Sequence, residues 1–451
     1  MKKHLIIFAL TIIFVSALTA QKSDQVTIYN DNFSLIRAQL DLKLQKGLQD
    51  YFYDNIPSTI DAKSVILSSD HNALQIVAQN YEFDLANAEQ IMQKYIGEEV
   101  IVQTEEDYTL QGVLQFSQSS TLGILENDTE KLILINRSSI RNITLAKLPD
   151  NFYLKPTLRW QLAAPKTADY QAEISYLCDG LSWDVDYNCV WNPQQKNLLL
   201  NAWVTIKNYS GKAFADVKLK LIAGEVNRVR DYYQGRGSER GVDTVAMMAK
   251  SAPEFSEKAF HDFHLYTLDQ NVSIANKQIK QLQLFPMKDV EAASKYVYRT
   301  HGSKIQSMIV FQNDKKSGLN LPLPAGRLKI YQQDEADGSL EFIGEDSINH
   351  TPTNEEVEVT TGNAFDLSGK TVVIDSKQID RRTRQQKLSV TLNNQSKETK
   401  QIEVLHSISG DWEIFDNNMD YEKLSAYQIK FIVNVKAGAE LELVWTERIK
   451  N

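Results

Sequence analysis

The chain has 451 residues, with 49 Lys and Arg against 58 Asp and Glu for a net charge of −9, 42% hydrophobic residues, 19 Gly and 10 Pro. That is globular composition, long enough for two to four domains at about 100–200 residues each, and it excludes collagen-like, low-complexity and wholly disordered chains. A single long apolar run excludes a polytopic membrane protein, and the acidic balance disfavours nucleic acid, whose phosphates are held by clustered Lys and Arg.

Met1-Lys2-Lys3-His4 is a short basic start, and Leu5–Leu18 is a 14-residue apolar stretch softened only by Thr11 and Ser16. Its length is that of a signal peptide, short of the about 20 residues that span a bilayer. Ser16, Ala17, Thr19 and Ala20 place cleavage after Ala20 or Ala17, with an uncleaved anchor as the alternative. No Cys at the junction points to a lipid anchor. Residues 1–20 are therefore read as a signal peptide, and the mature chain as an exported protein of the periplasm or cell surface with no transmembrane span. Its charge becomes (49 − 2) − 58 = −11.

Residues 21–84 read as an N-terminal β unit, with period-two alternation in 26–44, 65–67 and 74–78. Residues 85–148 begin with the clearest helix, Leu85–Ile96, with Asp84 as N-cap and Gly97 as its stop. Five short β patterns follow at 100–102, 111–116, 122–125, 132–135 and 140–145, a density that predicts a small SH3-like or Sm-like barrel. Glu98, Glu99, Glu105, Glu106 and Asp107 argue against RNA as its ligand. After a linker at 149–156, residues 155–451 alternate strands with Gly, Asn, Asp and Pro turns and predict a large β-sandwich region. Arg228–Lys258 interrupts it and is expected to be a mobile insertion, cut first by protease. The one basic cluster, Arg381-Arg382-Thr383-Arg384, reads as a solvated stretch between strands.

Cys178 and Cys189 are an even pair in an oxidising compartment, which raises the possibility of a disulfide. A tight hairpin centred near Leu181 would leave Cys189 roughly 16 Å beyond the residue facing Cys178, whereas a bridge needs Cα atoms about 4.4–6.8 Å apart. A wide, twisted connection would be required, and the spacing does not fit a metal knuckle. Trp183, Trp203, Trp412 and Trp445 are expected to fill the core. As the alternative, Trp183, Tyr187 and Trp191 form an aromatic platform for a sugar, since Tyr187 and Trp191 share one face of a strand.

Residues 170–224, with YQAEISYLCDGLSWDVDYNCVWN and LLLNAWVTIKNYSGKAFADVKLKLIAGEV, resemble the start of the bacterial domain of unknown function 4139. The segment beginning LPLPAGRLKIYQQ resembles its Pro-Ala-Gly strand, and LSVTLNNQSKETKQIEVLHSISGDWEI with VNVKAGAELELVW resembles its closing strands. The resemblance covers about 155–451 and includes the mucoidy-inhibitor-A-like proteins, whose coiled coil has no counterpart here. It implies a largely β fold and brings no catalytic residues.

No Gly-x-Ser-x-Gly elbow, Walker loop or His-Glu-x-x-His helix is present. His261 and His264 come nearest to a metal pair but read as a strand, where they point to opposite sides. Asp334–Gly338 reads as a hairpin turn rather than a calcium loop, and Glu345 with Asp346 is one chance carboxylate pair among 58 acidic residues. No catalytic, cofactor or metal residue is assigned. The expected function is that of a non-catalytic envelope protein binding other proteins in adhesion or scaffolding. The alternatives are carbohydrate binding and, behind it, hydrolysis of an envelope polymer.

Overall fold

The computed structural model describes residues 24–69, 73–83, 88–145, 152–224, 226–228 and 255–450. The expected signal peptide, the N-cap Asp84, the linker residues 149–151 and residues 229–254 of the expected insertion lie outside the described residues. The protein is mainly β, and its one α-helix among the described residues is Ala88–Lys94. The chain divides into two compact units. One comprises Leu35–Leu177 and Asp216–Lys218 with the chain through Val26, and the other Thr27–Ser34, Cys178–Ala215 and Leu219–Asn451.

In the first unit, Thr157–Ala164 is the middle strand of a three-stranded antiparallel sheet between Gly47–Tyr53 and Gln75–Glu82. Its Trp160 is fully buried, stacks on Tyr51 and Tyr53 at 6.1 and 5.8 Å, and donates Nε1–H to Gln79 Oε1 at 2.7 Å. A five-stranded antiparallel sheet runs in the order Ile140–Leu145, Glu99–Thr104, Thr109–Ser117, Thr121–Glu126 and Leu132–Asn136. This is a meander whose last strand returns to pair with its first. A 3-10 turn, Arg137–Ser139, leads into that last strand, and among the described residues no ladder joins the two edge strands. Met92 and Tyr95 bring the helical segment onto a core of Val100, Val102, Leu110, Leu114, Leu122 and Ile124. Gly97, at φ +92, ends that segment and donates its N–H to Leu114 O at 2.7 Å.

In the second unit a thirteen-stranded sheet runs in the order Leu340–Ile348, Gly326–Gln333, Leu181–Asn192, Asn197–Asn208, Gln278–Arg299, Lys304–Gln312, Glu356–Gln378, Thr383–Asn394, Ala439–Lys450 and Asp411–Phe415. Lys400–Ser407, Gln428–Val435 and Tyr421–Ser425 extend it from Gln278–Arg299. The strand Gln278–Arg299 changes partners midway: its first half pairs with 197–208, and from Ala292 it pairs with 304–312 and then also with 400–407. The C-terminal strands enclose one core, including Tyr298, Leu388, Val390, Leu392, Val404, Phe431, Val433, Leu443 and Trp445. Their inward residues recur at period two, as the sequence alternation required.

Two corners of this unit are built alike. Asn208, fully buried at the end of one strand, accepts from Ser210 N–H and Oγ–H at 3.1 and 2.8 Å and donates Nδ2–H to Lys212 O at 2.8 Å. Asn394, also fully buried, accepts from Ser396 N–H and Oγ–H at 3.0 and 2.7 Å and donates to Glu398 O and Val435 O at 2.8 and 2.9 Å.

The expected insertion is shorter than its sequence indicated. Phe255–Phe260 is a strand, paired antiparallel with Phe263–Leu268. All but the first of its residues are exposed, so no apolar alternation announced it.

Candidate functional site

Strand Leu181–Asn192 alternates buried and half-buried residues along its whole length. Trp183, Tyr187 and Trp191 all fall on the buried side, at 2%, 0% and 5% exposure. They therefore form no sugar platform: the shared face that made a platform geometrically possible is the face turned to the core. Trp183 meets Tyr266 edge-on at 6.3 Å, and Tyr187 donates its hydroxyl to Pro324 O at 2.7 Å while Tyr266 donates to Pro322 O at 3.0 Å. Burial pushes both phenols up, with the neighbouring Tyr266 adding to it at Tyr187 and Glu257 at Tyr266. These rings hold the Leu321–Pro324 segment in place. Of the other tryptophans expected in the core, Trp445 is fully buried, while Trp203 and Trp412 are half-buried.

The possible disulfide is not formed, and Cys178 and Cys189 are separate buried thiols. Leu181–Asn192 pairs with 197–208 and, in parallel, with 326–333, while Gly180 at φ +84 makes the turn out of the preceding strand. Cys189 lies eight positions along an extended strand from Leu181, about 26 Å at ~3.3 Å per residue, so the two sulfurs have no route to each other. Burial pushes Cys178 up to about 11 despite its 3.3 Å hydrogen bond with Ser34 Oγ, and Cys189 to about 12. Neither thiol is disposed to nucleophilic or metal chemistry at neutral pH.

A set of acid–base side chains does converge where the sequence gave no sign of it. His406 Nδ1 lies 2.7 Å from Thr300 Oγ1, and its Nε2 lies 2.8 Å from Glu447 Oε2. A carboxylate only accepts, so the Nε2–H donates to Glu447. Trp445 meets the ring edge-on at 5.0 Å. Hydroxyl, imidazole and carboxylate in this order form a proton relay in hydrolases. Here Thr300 is buried at 6%, and its N–H is spent on Leu405 O at 3.1 Å. A groove of about 610 Å³ is lined by His301, Ser407, Ser409 and Tyr427 among others, and by none of the three. The set ties together the ends of three strands. No local motif could have shown it, since its members lie 106 and 41 residues apart.

The second unit also presents an arm that is the free edge of a sheet, since Thr383–Asn394 is paired on its far side with Ala439–Lys450. Strand Glu356–Gln378 pairs with 304–312 only as far as Ser368, and beyond it has one neighbour, Thr383–Asn394. Phe365, where the ladder to 304–312 is interrupted, is 100% exposed. Val372, Val373, Ile374 and Ile379 are exposed further along. The strands are joined by a turn in which Asp380 Oδ1 accepts from Arg382 N–H at 2.8 Å and Thr383 N–H at 3.0 Å, bonds that hold its carboxyl below the usual range. The basic cluster read as a solvated stretch between strands is this turn and the start of the returning strand.

The remaining sequence candidates fall at hairpins. His261, at φ +55, sits in the turn joining 255–260 to 263–268, and His264 Nδ1 lies 2.7 Å from Glu257. Asp334 and Asp337 accept from Ala336 and Ser339 N–H in the turn joining 326–333 to 340–348. Among the described residues no three His, Cys, Asp or Glu side chains form a metal-ligand group. No helix among them is long and apolar enough to cross a membrane. Comparison with protein-family models and with curated proteins finds no match to the chain.

Proposed function

We propose that the protein is an exported, non-catalytic β-sandwich protein of the bacterial envelope, related to the domain of unknown function 4139, that binds other envelope proteins in adhesion or scaffolding. The observation that carries this reading is Phe365, a wholly exposed aromatic in strand Glu356–Gln378. Leaving such a ring in water forgoes about 1.5–3 kcal/mol of burial, and aromatic anchors are among the side chains that dominate protein interfaces. The signal-like start of the sequence supplies the compartment.

The test is a pull-down from envelope extract with the native chain and with Phe365→Ala in parallel. Proteins retained by the native chain and lost with the variant support the reading. An identical set from both, or no specific protein from either, overturns it.

A further inference from the structure

We propose that the arm formed by residues 370–384 docks on an anionic lipid surface. Charge singles it out: Lys370, Lys377, Arg381, Arg382 and Arg384 stand against Asp375 and Asp380, 5 − 2 = +3, in a chain whose total is −9. None of the five cations is in an ion pair among the described residues, while the Asp380 carboxylate is turned back onto its own turn.

Apolar exposure coincides with that charge. Val372, Val373, Ile374 and Ile379 are exposed by 43%, 47%, 53% and 47%. Val372 lies opposite Ser389 and Val373 opposite Leu388; both partners are buried, and the two valines are exposed because they lie on the edge strand of the sheet. The headgroup region of a bilayer takes both kinds of side chain, aliphatic ones below and cations at the phosphates. Addition of a partner strand is disfavoured by the arm's own edge, where a bulge at Ile374 breaks the register and Lys370 and Lys377 flank it.

The experiment is co-sedimentation of the purified chain with vesicles of phosphatidylglycerol and phosphatidylethanolamine, and with vesicles of phosphatidylcholine alone. The native chain is expected to sediment with the first and not the second, less so as salt rises. Arg381→Gln with Arg382→Gln should weaken binding about 30-fold, from two cationic contacts of ~1 kcal/mol each. Ile374→Ser with Ile379→Ser should weaken it comparably, and thermal melts matching the native chain show that both variants fold. Equal binding to the two vesicles, no binding, or binding that survives both pairs of substitutions overturns the proposal. Retention on immobilised poly-glutamate without vesicle binding overturns it in favour of an acidic protein partner.

Discussion

Glu447→Ala should destabilise the C-terminal sandwich by ~3 kcal/mol. The substitution removes the acceptor 2.8 Å from His406 Nε2, in a pair whose side chains are each only 4% exposed. A buried donor left without a partner costs about 1–3 kcal/mol, and the lost methylenes and the small cavity add about 1. Replacing both ends, His406→Phe with Glu447→Leu, removes the unpaired imidazole N–H and leaves only the Thr300 hydroxyl short of its partner, so it should recover part of the loss. Urea denaturation followed by tryptophan fluorescence reads the effect, because the Trp445 ring lies 5.0 Å from the imidazole. A Glu447→Ala variant within about 0.5 kcal/mol of the native chain would refute the reasoning, as would a double variant less stable than the single one.

Both thiols should resist Ellman's reagent at neutral pH and react only in denaturant; two equivalents reacting in the native chain would contradict their burial. Because burial favours the neutral thiol, folded Cys178 keeps its proton to about 11 while the unfolded chain loses it near 9.0. Its stabilising contribution is thus complete below pH 9.0 and is lost as pH rises towards 11, and Cys178→Ala should lessen the alkaline fall in the urea midpoint. Asn394→Ala strips acceptors and donors from Ser396, Glu398 and Val435 at a fully buried corner and should cost about 2–4 kcal/mol, read by the same denaturation; a change below about 1 would show the corner holds without it. Gly369→Ala would place its methyl 2.5 Å from the Tyr298 ring and should lower the melting temperature by several degrees, whereas an unchanged melt would mean that the ring yields freely.

The parts of the fold written in local period were legible. Leu181–Asn192 alternates over twelve residues because one of its faces is covered, and hydrophobic alternation reports that burial directly. What covers the face is a matter of long-range pairing, which alternation does not encode. The parallel register of Leu181–Asn192 with Gly326–Gln333 was therefore invisible. The same ignorance turned Trp183, Tyr187 and Trp191 into an alternative platform: the sequence put two of them on one side without saying which side met water. Phe255–Phe260 was missed for the opposite reason, since an exposed strand has no apolar side to reveal it. His406 and Glu447 could not be joined from sequence, because each sits among strand residues with no spacing that links them. The repeated Asn-x-Ser corner was readable in principle, as Asn208-Tyr209-Ser210 and Asn394-Gln395-Ser396 both end apolar strands.

The strand Gln278–Arg299, which changes partners near Ala292, has a mechanical consequence. Its 22 residues extend about 70 Å at ~3.3 Å per residue, and its successive ladders tie it to strands 197–208, 304–312 and 400–407. A pull along this axis cannot open those ladders one bond at a time, as peeling an edge strand would. It loads many hydrogen bonds together in shear, so tension entering at one end of the strand is carried as a beam carries it. Within the second unit, force applied near Leu198 would reach the strands around Val404 through one continuous length of backbone.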